Sequence, residues 1–242
     1  MDPSHYRLDE ELAERHWWWV ARRNILASLV AHAIAPAGDA RQILEVGCST
    51  GSNLALLGRF GTVTGLEMHA PTAARCRARH PGTEVLCAAI PAPLARRFDA
   101  ICAFDVLEHI GDERGAVDWL ADHLKRPGQL FVAVPAFAFL WSRHDDLAHH
   151  RRRYTRAGLA RALAPRFDVT YATYFNFHLF PAIAAVRLVQ RALGVGSGRD
   201  DKRVGGGWAN GLLRAVFDAE RLWLPHVPLP VGVSLFMAAT AR

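Results

Sequence analysis

Short apolar runs alternate along this chain with stretches in which apolar positions recur every three or four residues. The runs at 42–46, 62–66, 84–88, 98–104 and 129–134 have the length of buried strands, and the segments near 53–60, 71–78 and 113–124 carry helical spacing. That rhythm predicts a parallel sheet with right-handed crossovers. Lys125-Arg126-Pro127-Gly128 reads as the stop of the third of these helices. Upstream, Leu8, Leu12, His16, Trp19, Arg23 and Leu26 predict a helix, broken at Pro36-Ala37-Gly38-Asp39. After Pro135 an aromatic and basic connection leads to a helix start at Thr155. Two late strands, 167–174 and 232–240, then flank helices over 178–193 and 209–224. The glycine-rich segment 194–207 between those helices fits either a lid or an ordinary surface loop.

The first strand ends in Glu45, followed by Val46-Gly47-Cys48-Ser49-Thr50-Gly51, a strand–turn–helix unit of the nucleotide-binding kind. Gly47 and Gly51 permit positive φ and close approach of backbone to a ligand. Glu67, 22 residues after Glu45 at the tip of the second strand, suits two ribose hydroxyls. A dinucleotide site would want G-x-G-x-x-G and a helix terminus open to a pyrophosphate. Here Ser49 stands where a middle glycine would sit, and the carboxylate of Glu45 would repel a pyrophosphate but suit a cationic amino group.

With Glu45, Gly47, Gly51, Glu67 and the fourth-strand segment Phe98 to Ile110, the chain resembles the class I S-adenosylmethionine-dependent methyltransferases. The resemblance is strongest over residues 40–135. It implies a Rossmann-like, doubly wound, mostly parallel seven-stranded α/β sheet with an antiparallel C-terminal hairpin. One domain is expected, with residues 1–39 as a helical cover, 40–135 as the cofactor core and 136–242 as the substrate side. The cofactor implied is S-adenosyl-L-methionine. Gly47, Cys48, Ser49 and Gly51 would line its methionine end, Glu45 would hold its amino group and Glu67 its ribose. The acid that many relatives place after the third strand is missing here, so backbone of Ala88 or Ala89, with Met68 and Ile90 around the ring, would take the adenine. Phe104, Asp105 and His109 are assigned to the same pocket. Some ubiquinone-pathway relatives hold a divalent cation on an acid-x-x-Glu-His group, and Asp105, Glu108 and His109 fit that spacing. A structural role is the alternative, and no metal is expected.

Composition narrows the picture. Half the residues are hydrophobic, and Cys48, Cys76, Cys87 and Cys102 match no zinc spacing, so buried free thiols in a reducing cytoplasm are expected. The polar N-terminus shows no signal peptide, and no apolar stretch is long enough to span a bilayer. Net charge is +6, and residues 141–166 alone carry seven arginines against Asp145 and Asp146. That concentration argues for local recognition of an anionic small-molecule or lipid-linked acceptor and against a nucleic-acid partner. Within it, His149, His150, Arg152 and Tyr154 are the candidates for acceptor chemistry: a histidine to take a proton, an arginine fork for an anion. A structural fastening is the competing account.

Trp17-Trp18-Trp19 admits three readings. It could cover the cleft, with Arg22 or Arg23 reaching an anion, or it could be packing. It could also join Phe175, Phe177, Leu179 and Phe180 in a peripheral membrane contact. The expected activity is methyl transfer to an oxygen or nitrogen. A non-catalytic cofactor-binding scaffold and an NAD(P)-dependent oxidoreductase are the alternatives.

Overall fold

The structure is a computed structural model that describes residues 14–34, 41–193 and 207–242. Seven strands form one sheet: β1 (Gln42–Val46), β2 (Thr62–Glu67), β3 (Glu84–Cys87), β4 (Phe98–Phe104), β5 (Leu124–Pro135), β6 (Phe167–Phe175) and β7 (Ser234–Ala241). Their order is β3-β2-β1-β4-β5-β7-β6. The first five are parallel, and β7 runs antiparallel between β5 and β6. This is the mostly parallel sheet with an antiparallel C-terminal pair that the sequence implied.

The alternation of side chains decides what covers each face. Ile43, Phe131 and Ala133 point into one apolar cluster, and Leu44, Val46, Leu130, Val132 and Val134 into the other. The first cluster is covered by α1 (Trp17–Ala33), the short α2 (Leu54–Leu57) and α3 (Ala70–Arg79). The second takes α4 (Glu113–Asp122) and α6 (Arg156–Leu163), with the five-residue α5 (Arg143–Leu147) between them in sequence. Last come α7 (Phe180–Ala192) and α8 (Trp208–Asp218), the latter packing along α1.

Three expectations need correction. The segment Lys125 to Gly128 lies inside β5 and does not end a helix. α4 stops at Asp122, and the four residues bulge out opposite Asp99 while Leu124 and Gln129 keep their pairing with β4. The helix expected over 53–60 is cut to four residues, because Asn53 turns its side chain to Glu45 and caps nothing, and Gly58 ends it. Cys87 is exposed, whereas Cys48, Cys76 and Cys102 are buried, and all four are free thiols. Expectations resting on Leu8, Leu12, residues 36–39 and nearly all of 194–207 lie outside the described residues.

The tryptophan run is packing. Trp17 is buried, its backbone N–H donates to Asn210 Oδ1 at 2.8 Å, and its ring meets Phe217 edge-on at 6.0 Å. Trp18 lies 5.3 Å from the same ring, and Phe175 stacks on it at 6.4 Å. Phe217 therefore joins α8 to α1 and to the end of β6. Phe217→Ala is expected to destabilise the protein by about 3–5 kcal/mol, the usual cost of emptying a fully buried aromatic site. Urea unfolding followed by tryptophan fluorescence measures it, and a loss below about 1 kcal/mol would show that the α1–α8 contact is not a structural anchor.

Candidate active site

From β1 the chain leaves toward β2, whereas β4 begins on β1's other side and leads to β5. Crossovers departing in opposite directions open a crevice at the carboxyl ends of β1, β2 and β4, where open α/β sheets bind ligands. The turn after β1 is shaped for close approach. Gly47 has φ +71° and a Cβ there would lie 2.9 Å from Val106 Cγ2, while at Gly51 φ is +90° and a Cβ would fall 2.5 Å from the His80 ring. Ser49 also takes positive φ, between them. The N–H groups of Gly47 and Cys48 both donate to the Leu66 carbonyl, at 2.8 and 3.1 Å, which ties the turn to β2. Beside it the buried Glu67 carboxylate accepts from Ser49 N at 3.1 Å and His69 N at 2.8 Å. Each oxygen keeps a lone pair for a diol hydroxyl.

Glu45 is the more unusual group. It is 1 % exposed, its Oε1 accepts from Asn53 Nδ2 at 2.7 Å, and its Oε2 has no hydrogen-bond partner among the described residues. Burial, only partly offset by Asn53, pushes its pKa up to about 8. A buried carboxylate with one orphaned oxygen is what a cationic amino group would satisfy. Orphaned Oε2, the glycine cradle and Glu67 together fit S-adenosylmethionine. The adenine side is more open: Met68 is 71 % exposed, Ala89 is exposed, and Ala88 and Ile90 pack partly against the second apolar cluster.

The next layer stands at the tip of β4. Asp105 takes φ +56°, and its Oδ2 lies 2.8 Å from Arg22 Nη2, which α1 delivers almost fully buried. Glu108 and His109 follow in a single 3-10 turn, Leu107–His109. Glu108 is wholly buried, and neither of its oxygens has a hydrogen-bond partner among the described residues. Burial, then the neighbouring Asp105, holds its carboxyl well above the ordinary range. Burial and the adjacent His150 lower the His109 pKa. The rings of His109 and His150 meet at 4.7 Å, edge to face. Donor atoms of Glu108, His109 and His150 all lie within 4.8 Å of one another, a grouping that leaves Asp105 out and brings His150 in.

The basic segment is organised by Asp145, a fully buried residue of α5. Its carboxylate accepts from Ser142 N, Ser142 Oγ, His150 Nδ1 at 2.8 Å and both Nε and Nη2 of Arg153. Burial alone would raise its pKa, but the hydrogen bonds from His150 and Arg153 hold it far below the usual carboxylate range. With Nδ1–H donated to Asp145, a neutral His150 ring would present Nε2 as the acceptor. Arg152 hydrogen-bonds the carbonyls of Ile110 and Gly111 and lies 3.2 Å from Glu113, and Tyr154 donates its hydroxyl to Glu113 Oε1 at 2.6 Å. Burial and that bond to Glu113 raise the Tyr154 pKa. His149 is exposed. Of the four candidates His150 is the one whose ring meets His109 and lies by Glu108, while Arg152 holds the backbone just beyond, at Ile110 and Gly111. Asn53 shapes the site without having been singled out, because no spacing in the sequence links it to Glu45; Arg22, expected to reach a substrate anion, pairs with Asp105, and Asp145 gathers His150 and Arg153 as a fastening would.

Comparisons with known proteins agree with this geometry. The family described as methyltransferase domain matches residues 18–175. A protein of Mycobacterium tuberculosis named "Probable S-adenosylmethionine-dependent methyltransferase" is 30% identical over 122 residues, an alignment covering 49% of this chain and 43% of that protein. The chain thus matches under half the length of that relative. Among solved structures, geranyl diphosphate C-methyltransferase from Streptomyces coelicolor superposes with TM-score 0.59 at 15% identity, over 89% of this chain and 75% of that one. Phosphoethanolamine N-methyltransferase 2 of Haemonchus contortus does so with TM-score 0.57 at 14% identity, over 89% and 51%.

The raised Glu45 pKa has a consequence for stability. A carboxyl whose folded-state pKa lies above its unfolded value supports the fold at low pH. That support is lost between about pH 4.5 and pH 8, at about 1.4 kcal/mol per pH unit. In the free protein, Glu45→Gln is therefore expected to raise the melting temperature at pH 8 and leave it unchanged near pH 4.5. Calorimetry of S-adenosylhomocysteine binding near neutral pH should show a proton released from wild type and none from Glu45→Gln. Equal melting curves at pH 8, together with equal proton release, would place Glu45 outside the ligand's reach.

Proposed function

We propose, since the chain belongs to the class I methyltransferase-domain family, that it carries a methyl group from S-adenosylmethionine to a hydroxyl or amine of a small or lipid-linked acceptor, with His150 as general base. The observation that carries this reading is the buried Asp145–His150 pair, aimed at His109 beside the β4 tip.

When bound, S-adenosylmethionine would supply an electrophilic methyl carbon, which an acceptor lone pair would attack in line as the carbon–sulfur bond breaks and S-adenosylhomocysteine leaves. Gly47 and Gly51 would line its methionine end, Glu45 would pair its amino group and Glu67 its ribose hydroxyls. On the acceptor side, Asp145 fixes His150 as the tautomer whose Nε2 can take a proton. The charge that His150 then acquires is stabilised by Asp145, which stays ionised. His109, whose pKa burial and His150 lower, adds a polar edge beside His150. Arg151, Arg152 and Arg153 hold the loop in place: Arg151 Nε donates to the His109 carbonyl at 3.1 Å, and Arg153 Nη1 to that of Ala136 at 3.0 Å. The forks of Arg152 and Arg153 are occupied by protein, which favours an acceptor recognised by shape and apolar contact over one clamped by these two arginines.

His150→Gln is expected to keep S-adenosylhomocysteine affinity while turnover falls by about 10²–10⁴. Tyr154→Phe should lower stability by about 0.5–1.5 kcal/mol and leave turnover per folded molecule unchanged. Wild-type turnover in a folded His150→Gln protein would overturn the assignment. Exhaustive chelation is expected to leave wild-type turnover intact. Loss on chelation, with recovery on adding a divalent cation, would make Glu108, His109 and His150 metal ligands and remove His150 as the base.

A further inference from the structure

We propose that a cleft beside α1, separate from the crevice, is a second binding site, for a small ligand bearing two or more phosphates. Among the described residues the cleft has a volume of about 930 Å³, the size of a metabolite site and not of a single ion. α1 contributes Asn24, Ala27 and Ser28 to it. One side is formed by residues between Ser52 and Phe60, another by residues between Arg214 and His226. Polar bonds tie both sides to the body of the protein. Ser28 Oγ donates to the Arg221 carbonyl at 2.7 Å, Asn24 Nδ2 to Asp218 Oδ1 at 2.9 Å, and Arg41 Nη1 to the Phe60 carbonyl at 3.2 Å. None of Glu45, Glu67, Asp105 and His150 lines the cleft, which meets the cofactor turn at Thr50 and Gly51.

Charge selects the ligand. The lining includes Arg23, Arg59, Arg79, Arg214 and Arg221, against two carboxylates, Glu14 and Asp218. Arg79 pairs with Glu14, and Arg221 with Asp218 at 3.1 Å, so arginines outnumber acids there by three. The side chains of Arg59 and Arg214 are exposed and make no hydrogen bond or ion pair with any described residue. Burial lowers the Arg23 pKa, an effect that Glu14 opposes and Arg214 reinforces, so two guanidinium groups of the lining feel each other's charge. The basic segment after β5 differs, because there Arg152 and Arg153 each meet a carboxylate of the protein. Like charges gathered in a concave space repel one another, and the walls focus their field on an anion that enters.

Guanidinium forks match phosphate oxygens in pairs. Arginines from three separate segments around one cleft suit a ligand charged at more than one point, hence a diphosphate or longer chain. Rings of Phe60, His80 and His226 also line the cleft and offer a planar group a surface to lie against. A nucleic-acid strand fits less well, since the arginines lie around a concave cleft and the chain has only two lysines to extend a basic track beyond it. Gly51 joins cleft and cofactor turn, because a Cβ there would fall 2.5 Å from the His80 ring. The site stands on the cleft and its charge and does not require the methyl-transfer reading.

Calorimetry with inorganic pyrophosphate, and then with ATP, tests it on the full chain. Wild type should bind both, with affinity that falls as salt rises. The double variant Arg59→Ala, Arg214→Ala should lose about tenfold or more of that affinity. Its melting temperature and S-adenosylhomocysteine affinity should equal wild type, showing that it is folded. The variant Arg97→Ala, Arg126→Ala removes the same charge outside the cleft and should bind pyrophosphate as wild type does. Failure of wild type to bind, or equal loss in both variants, overturns the proposal. So does competitive displacement of pyrophosphate by S-adenosylhomocysteine, which would place the anion in the crevice. Binding of a single-stranded RNA oligonucleotide in place of pyrophosphate, lost in the cleft variant, overturns it in favour of a nucleic-acid surface. Absence of S-adenosylhomocysteine binding by wild type would instead strike at the functional reading and leave the pyrophosphate result standing.

Discussion

Burial, only weakly offset by Arg22, sets the electrostatics of the crevice. Arg22, brought in by α1, lies against Asp105 and within electrostatic reach of Glu45 and Glu108, all but Asp105 being deeply buried. One guanidinium cannot neutralise three carboxylates in a low-dielectric site, so protons must do the rest. That is why burial raises Glu45 and Glu108 despite the cation beside them. The consequence is a site whose negative charge is latent. A cationic amino group arriving at Glu45 would replace a proton and add no charge to a buried region. The family's methyl donor, cationic at its amino group and at sulfur, is suited to such a site in a way that a pyrophosphate is not.

The parts of the molecule legible in the sequence are those with local physical causes. β1 and β4 were readable because strands buried on both faces are continuous apolar runs, and the turn at Gly47 and Gly51 because positive φ favours glycine. What escaped depends on contacts made at long range. β5 starts before Gln129 because Leu124 finds a partner in Phe98 and Lys125 an ion pair in Asp99, neither visible in a local window that contains Pro127. The tryptophan run could not be assigned until Phe217, some two hundred residues away, was seen between Trp17 and Phe175.

The basic segment shows the same limit for the site. Its arginines were open to two accounts because a guanidinium binds a protein carbonyl with the same donors it would offer an anion. Position decides: Arg152 meets the Ile110 and Gly111 carbonyls, and Arg153 wraps Asp145. His150 had no signal to separate it from His149. The difference is five residues upstream, in a carboxylate that accepts a hydrogen bond from His150 Nδ1, whereas His149 is exposed.

The molecule thus divides rigidity unequally along the edge of its sheet. At the β4 tip, Asp145 satisfies five donor atoms at once, a density of bonds that leaves His150 little freedom to turn. A second buried carboxylate, Glu220, does comparable work at the end of β6, accepting from the backbone of Asn176, Phe177 and His178. Just past that fastening the apolar surface of α7 is left uncovered. The contrast has a physical logic. A proton acceptor must be held within a fraction of an ångström of its target. Past Glu220 the helix α7 has no buried residue. Glu220 separates the two regimes, because it holds the chain where ordered backbone gives way to exposed helix.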